Sequence, residues 1–349
     1  MPETFEFQHY VDSFDTMNED GLTMTASLIL AAERPRSPWT AFFIRRALSL
    51  IVSLWVISTL VFFMARSLGG DAVIAGAGLD ASPEYIAARR EELGLDRPIL
   101  VQYAEFLGRL FTLDFGQSIS LRTSPMTVIM ERFPYTLQLG VLAFLVTALI
   151  SIPLGMWIAA RGQRSGRRAS PWFHGITGLI GSIPDFLIGV GLIAVFAIVL
   201  RVLPPAGGSG PTAFILPVAT LAIGLTASMS RLVATESGRV LREEYVRTAR
   251  SMRLSTSKLY IGHVLPNVLT AVLTSAGLVL ATLLGGTLVT ETVFAWPGLG
   301  SLTIDSILAR DYPMLQAVVL VIATMALLVT FTVDLLVARL DPRSLLVRS

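Results

Sequence analysis

Six stretches of mostly apolar residues divide this chain, at Ala47–Ala65, Thr136–Ala160, Ile176–Leu200, Phe214–Ser230, Leu269–Thr290 and Leu315–Val333. Each is close to the roughly 20 residues that a helix needs to cross the hydrocarbon of a bilayer. Inside hydrocarbon every backbone polar group must find its partner within the protein, which leaves helices or closed barrels. These runs are continuous rather than alternating, so they predict helices. Only 15% of the residues are charged, against about a quarter in soluble domains. The fold class is therefore all-α integral membrane protein with six transmembrane helices. Pro184 interrupts the third run and Pro217 stands early in the fourth, the shortest.

The arginines orient the spans, because short cytoplasmic loops carry the excess of positive charge. Arg34, Arg36, Arg45 and Arg46 precede the first span, and Arg161, Arg164, Arg167 and Arg168 separate the second from the third. Arg231, Arg239, Arg242, Arg247, Arg250, Arg253 and Lys258 lie between the fourth and fifth, and Arg339, Arg343 and Arg348 follow the sixth. The short loops on the opposite side hold only Arg201 and Arg310. Both termini are thus expected in the cytoplasm. The basic surplus is a topology signal, and nucleic acid is not an expected partner.

Several chemistries drop out on residue types alone. The chain has no Cys, which removes disulfides, thiol catalysis and Cys-ligated metals. His9, His174 and His263 are far apart in sequence, and no metal site is expected. Lys258 is the only Lys, and the residues before it, Arg253-Leu254-Ser255-Thr256-Ser257, lack the glycine of a phosphate-binding Walker loop. Any nucleotide energy must come from another chain. A proton-driven secondary transporter would need coupled carboxylates within the membrane and often an internal repeat. Asp185 is the one ionisable residue well inside a span, and the two halves show no obvious repeat. No H-E-x-x-H or G-x-S-x-G supports an intramembrane hydrolase.

The polar segments fill in the plan. Residues 1–40, acidic and then rich in Pro and Arg, read as a disordered cytoplasmic tail. Residues 41–135 hold the first span and an extracytoplasmic segment with helices expected at Pro83–Leu93 and Ile99–Phe111, the latter with an apolar stripe of Leu100, Tyr103, Phe106, Leu107 and Leu110. Residues 136–340 form a five-helix core with a long cytoplasmic loop at 236–266, and 341–349 are a cytoplasmic tail. Within the long loop, Val240, Leu241, Tyr245, Val246 and Ala249 fall on one face of a short amphipathic helix. A break near Leu254-Ser255 and a second short helix then lead to Pro266. On pattern alone this is either a solvated basic loop or a surface that docks on something.

Here the chain resembles a known family. Glu244-Tyr245-Val246-Arg247-Thr248-Ala249-Arg250 and the later Leu265-Pro266 look like the EAA loop of permease subunits of binding-protein-dependent ABC importers, in the branch that carries dipeptides, oligopeptides and nickel. Further similar pieces run in order: Leu93–Pro98, Asp114–Ser118, Arg132–Leu137, Ile152–Gly155, Ser182–Phe186, Glu291–Gly300, Asp311–Pro313 and Asp341–Arg343. Together they cover about residues 40–345.

The resemblance implies a type I importer fold, a second homologous permease in a heterodimer, two ABC ATPase subunits, and an extracytoplasmic substrate-binding protein. It implies that the chain catalyses nothing and holds no cofactor, with ATP and Mg bound by the partner ATPases, in a bacterial inner membrane. It gives Glu244, Tyr245, Val246, Arg247, Thr248, Ala249, Arg250, Leu265 and Pro266 the coupling role, and peptides as substrate, with nickel or another small solute as the alternative. Asp185 reads either as a pore-lining group that binds a peptide amine or as a helix-packing hydrogen bond to Ser182 or nearby backbone. Glu291 reads as an outer gate or a binding-protein contact, against interfacial anchoring by Trp296. One departure stands out, since the family pattern expects Gly where this chain has Arg253. A glycine would turn the backbone at positive φ more cheaply. Arg253→Gly is therefore expected to keep or improve transport-coupled ATP hydrolysis. A clear loss in the reconstituted importer would show that the Arg253 side chain makes a needed contact.

Overall fold

The computed structural model describes residues 38–67, 73–74, 82–92, 94–164, 171–207, 210–252 and 254–340. The expected tails over 1–37 and 341–349, and Arg253, lie outside the described residues. Among the described residues there is no strand. Among the described residues, twelve α-helices carry the fold. They are α1 (Pro38–Ser67), α2 (Pro83–Glu92), α3 (Ile99–Leu110), α4 (Pro125–Arg164), α5 (Pro171–Ser182), α6 (Asp185–Leu192), α7 (Ile215–Val240), α8 (Glu244–Ser251), α9 (Thr256–Leu259), α10 (Leu265–Val293), α11 (Leu299–Leu308) and α12 (Tyr312–Leu340).

Four helical segments are long and apolar enough to cross a membrane: 42–66, 125–163, 211–240 and 312–339. The bent pair α5–α6, extended to Val199, raises this to five if it counts as one span. The expected span Leu269–Thr290 lies within α10, a helix of 29 residues. The helices overrun the apolar runs that announce them. At 1.5 Å per residue the 40 residues of α4 reach about 60 Å, twice the hydrocarbon thickness, so both ends project.

The third expected span is not a kinked helix. Its halves meet at 87°. Pro184 has no N–H and pushes Ile183 out of the helical region. It stands extended at φ −57° and ψ 136°, and its carbonyl starts α6 by accepting from Leu187 (3.0 Å) and Ile188 (3.3 Å). Pro217 breaks nothing, because it falls in the first turn of α7, where its missing N–H has no intrahelical partner to lose. A 3₁₀ turn at Pro211–Phe214 leads into that helix.

Lipid tails are as apolar as leucine, so helix association in a membrane relies on close packing and hydrogen bonds. The bundle is built accordingly around α7, which packs on α4, α5, α6 and α10. At Gly155 of α4 an added Cβ would lie 2.6 Å from the Val233 Cβ and 2.7 Å from the Ser230 carbonyl oxygen, so only glycine permits this approach. Helix α12 packs on α10 and α1. An Arg46–Asp334 ion pair and the Phe43–Phe331 contact join α1 to α12 near one end. At the other end, Tyr103 and Phe106 of α3 lie against Phe62 of α1, each at 5.3 Å between ring centres. Part of the expected stripe on α3 thus covers the first span, while Leu100 stays exposed.

Candidate functional site

The expected coupling residues Glu244–Arg250 all lie on α8, a helix of eight residues that starts after the extended Glu243. Its two faces are sharply different. Val246 is 0% and Ala249 6% exposed, and both belong to one core cluster with Val240 and Leu241, Ala159 of α4, Val233 of α7, and Val264 and Val268 around the start of α10. The apolar side chains expected to face a partner are therefore spent on the chain's own bundle, with Tyr245 the exception. Burying a valine is worth about 1.5–3 kcal/mol, which explains why this face turns inward when a core is within reach. The outward face is Glu244, Tyr245, Arg247, Thr248 and Arg250.

Polar contacts brace α8. Arg250 donates to the Gln163 side-chain oxygen of α4, and the Gln163 amide donates back to the Leu241 carbonyl at 3.0 Å. Arg239 reaches Glu236 at 2.9 Å and Glu243 at 3.4 Å. Partial burial of the Tyr245 phenol, with the nearby Glu243 charge, pushes its pKa up. Thr248 turns its hydroxyl back to the Glu244 carbonyl at 3.1 Å. Arg247 is left as the exposed cation at the centre of the outward face.

Leu265 and Pro266 form the first turn of α10, half-buried and exposed respectively. Pro266 follows closely on a wider turn at Tyr260–Val264, where the regular i→i−4 ladder is already interrupted, so its missing N–H removes no regular helical bond. The expected separate second helix is instead continuous with the span. Thr256–Leu259, a wider i→i+5 turn at Tyr260–Val264, and α10 follow one another without a break.

Asp185 opens α6 directly after the bend, exposed on the face towards α7. Its carboxyl oxygen lies 3.3 Å from where a Cβ of Gly224 would stand. Ser182 does not serve it, because that hydroxyl donates to the Leu179 carbonyl at 2.8 Å. The expected packing bond to Ser182 is thus absent.

Glu291 is held far from any outer contact, with 0% exposure. Its carboxylate accepts from the Thr136 hydroxyl at 2.7 Å, the Gly300 N–H at 2.7 Å and the Ser301 N–H at 3.1 Å. The last two are orphan donors of the first turn of α11, so the carboxylate caps that helix. Thr136 in turn accepts from the Leu299 N–H at 2.7 Å. The backbone of Glu291 closes α10 as well. Its carbonyl accepts from Trp296 at 2.7 Å while Ala295 donates to Thr292 at 3.2 Å, a Schellman turn with Ala295 at φ 48°. Trp296 is also buried, 4.6 Å from Phe214 between ring centres, so it is not a lipid-facing anchor. Trp296 is thus no interfacial anchor, and the Glu291 carboxylate serves to cap α11.

A second knot carried only a weak sequence signal. Asp311 is fully buried, caps α12 through the Met314 N–H at 3.2 Å, and accepts from the Ser118 hydroxyl and from the Ser120 N–H (3.0 Å) and hydroxyl (2.7 Å). An aspartate just before Tyr312-Pro313 is the sequence hint of that cap. Nothing in the sequence points to Gln163 as the brace of α8. Among the described residues no group of His, Asp and Glu could hold a metal ion.

The fold and these knots define a multi-pass helical membrane protein with a short surface helix seated on its spans. Residues 151–345 match the family described as "Binding-protein-dependent transport system inner membrane component", and residues 39–140 match its N-terminal family. The chain belongs to this family of ABC importer permeases and is a multi-pass protein of the inner membrane. It is 35% identical to the "Glutathione transport system permease protein GsiC" of Salmonella typhi over 86% of this chain and 97% of that protein. The GsiC protein of Escherichia coli matches with the same identity and coverage. A solved structure of the inward-facing MetNI methionine ABC transporter superposes with a TM-score of 0.53 at 18% identity, covering 62% of this chain and 97% of that chain, which shows the fold alone.

The knot makes a direct prediction. Glu291→Ala strands several buried donors, each costing about 1–3 kcal/mol. Gly298→Ala does comparable damage, since its Cβ would lie 2.3 Å from the Glu291 carboxylate. Both variants should lower the amount of folded chain in membranes and its resistance to heat after solubilisation, with Glu291→Gln in between. Wild-type yield and heat resistance in Glu291→Ala would show the knot to be dispensable.

Proposed function

We propose that this chain is one half of the translocation pore of an ATP-driven importer of peptides, with six spans and both termini in the cytoplasm. A second, homologous permease completes the pore as a heterodimer. Two ABC ATPase subunits bind ATP and Mg and dock on α8, and an extracytoplasmic binding protein delivers the substrate. The chain needs no cofactor of its own and no nucleic acid. The carrying observation is the two-faced α8. Val246 and Ala249 lock it to α4, α7 and α10, while Glu244, Tyr245, Arg247, Thr248 and Arg250 stay outside with Leu265 and Pro266 beside them. A helix held this firmly transmits a push to the spans instead of yielding to it. When the ATPases close on ATP, the displacement of α8 carries those spans and opens the pore outward.

Peptides are favoured because the chain's relatives are named for transport of glutathione, itself a small peptide. Asp185 supports the same reading, as an exposed carboxylate at a sharp break in a span, placed to meet a peptide amine. Nickel or another small solute is the alternative, and the ligand bound by the partner binding protein decides between them. A proton-driven transporter is disfavoured, since Glu291 is committed to capping α11.

The docking face separates from the core by mutation. Tyr245→Glu should leave the chain folded in the membrane but abolish co-purification of the ATPases and reduce uptake at least about tenfold, the effect of losing one or two contact groups. Ala249→Glu should instead lose the chain itself, because the charge enters a closed core. Uptake preserved in Tyr245→Glu, with the ATPases still bound, would overturn this placement of the face. Asp185→Asn should weaken uptake of peptides with a free amine and spare N-acetylated ones, measured side by side in vesicles. Equal uptake of both by the variant and the wild type would remove Asp185 from the substrate path.

A further inference from the structure

One cleft is left unexplained by pore or coupling helix. It runs between α1 and α12, and its chemistry changes along its length. For most of that length it is an apolar cavity of about 930 Å³, lined by Leu54, Trp55 and Ser58 of α1 and by Leu320, Thr324 and Leu328 of α12, among others. The hydroxyls in its wall are already used. Ser58 donates to the Leu54 carbonyl at 2.6 Å, Thr324 to Leu320 at 2.7 Å and Thr332 to Leu328 at 2.8 Å. The wall therefore asks for no polar partner. At the end near α3 it gives way to a smaller polar cavity of about 200 Å³, and Phe115 lines both. The same faces of the two helices continue upward, through Phe62 and Arg66 on α1 and Tyr312 and Gln316 on α12.

The polar end is lined by three arginines, Arg66, Arg97 and Arg109, and three carboxylates, Glu92, Glu105 and Asp114. Glu92 is paired with Arg89. Arg97 is paired with Glu105, and Asp114 accepts the Gly116 N–H at 2.9 Å. Arg66 stacks on the Phe62 ring at 4.5 Å and donates one guanidinium nitrogen to Gln102, but its Nε is buried with no hydrogen-bond partner. Arg109 also lines this end, 3.7 Å from where a Cβ of Gly116 would stand. Depth agrees with chemistry. Arg46 and Arg66 are 20 residues apart on one straight run of α1, about 30 Å, the thickness of the hydrocarbon. The opposite end of the cleft is sealed by the Arg46–Asp334 pair and the Phe43–Phe331 contact. The apolar length from Leu320 to Leu336 is about 24 Å, more than the roughly 15 Å of one leaflet.

We propose that this cleft holds one phospholipid, its phosphate against Arg66 and Arg109 and one acyl chain lying between α1 and α12. A cationic mouth at headgroup level above an unbroken apolar groove matches that amphiphile at both ends. This proposal requires only the membrane embedding of the chain, and it takes the α3 end as the outer one.

The importer complex, extracted from membranes in mild detergent, tests it by native mass spectrometry. Wild-type chain should retain one phospholipid per copy. Arg66→Gln with Arg109→Gln should retain about tenfold less, the effect of losing one or two charge-assisted contacts. Leu328→Trp, which fills the groove, should do the same, while Arg66→Lys keeps most of it. The ATPases should still co-purify in every variant, and their absence from the wild type would count against the importer reading while leaving the lipid count readable. Unchanged lipid in the double variant or in Leu328→Trp would overturn the proposal. So would a wild-type chain that retains no lipid but binds inorganic phosphate, which would mark a free-anion site. The chain has no native Cys, so a Leu328→Cys variant can be cross-linked cleanly. An efficient cross-link to a partner permease helix would put that helix, and not a lipid, in the groove.

Discussion

The contact on which the proposed function depends is the burial of Val246 and Ala249. These two side chains turn an eight-residue helix, too short to be stable alone in water, into a fixed attachment of the membrane bundle. The cluster that receives them draws on α4, α7 and the entry of α10. A force applied at α8 is thus divided among three membrane helices. The close approach at Gly155 makes two of them move together. Had the apolar face pointed outward, the partner would have gained a hydrophobic patch and lost a rigid lever.

The opposite side of the molecule uses polar rather than apolar ties. Glu291 and Asp311 are both fully buried, and each caps the start of a helix while holding a distant segment, Thr136 in one case and Ser118 to Ser120 in the other. In a bundle where lipid competes on equal terms for apolar surface, satisfied buried carboxylates specify one arrangement of the outer turns. Gly298 and Gly300 are part of the same device, because any Cβ there would collide with the Glu291 carboxylate or with the Leu288 backbone.

The order of helices was legible because a span must be a run of about 20 apolar residues, whatever its neighbours do. Their ends were not, since α4 and α7 continue as helix into polar sequence where composition no longer marks them. Pro184 was visible as an interruption, but the 87° bend depends on how α5 and α6 pack against α7. At the coupling segment the helix itself was readable and its orientation was not. An amphipathic pattern tells which side chains share a face, and only the tertiary structure tells whether that face meets a partner or the chain's own core. Glu291 misled for the same reason. A lone acid at a span end suggests an outer contact until its three donors, two of them within ten residues and one on α4, are seen to converge on it. The resemblance to importer permeases supplied the coupling role that periodicity alone left open.

Helix α10 joins these two sides. Its first turns place Val268 and Val272 in the cluster that seats α8, and it ends at the Glu291 knot that starts α11. Counting from Thr256, the helical run to Val293 is 38 residues without a break, about 57 Å, longer than the hydrocarbon is thick. A displacement of α8 therefore has a stiff path to the outer turn, whose position is set by a carboxylate with no freedom to rearrange alone. The wider turn at Tyr260–Val264 sits at the start of this path, between α9 and α10. Such turns leave the helical ladder locally overwound or underwound and recur at functional sites.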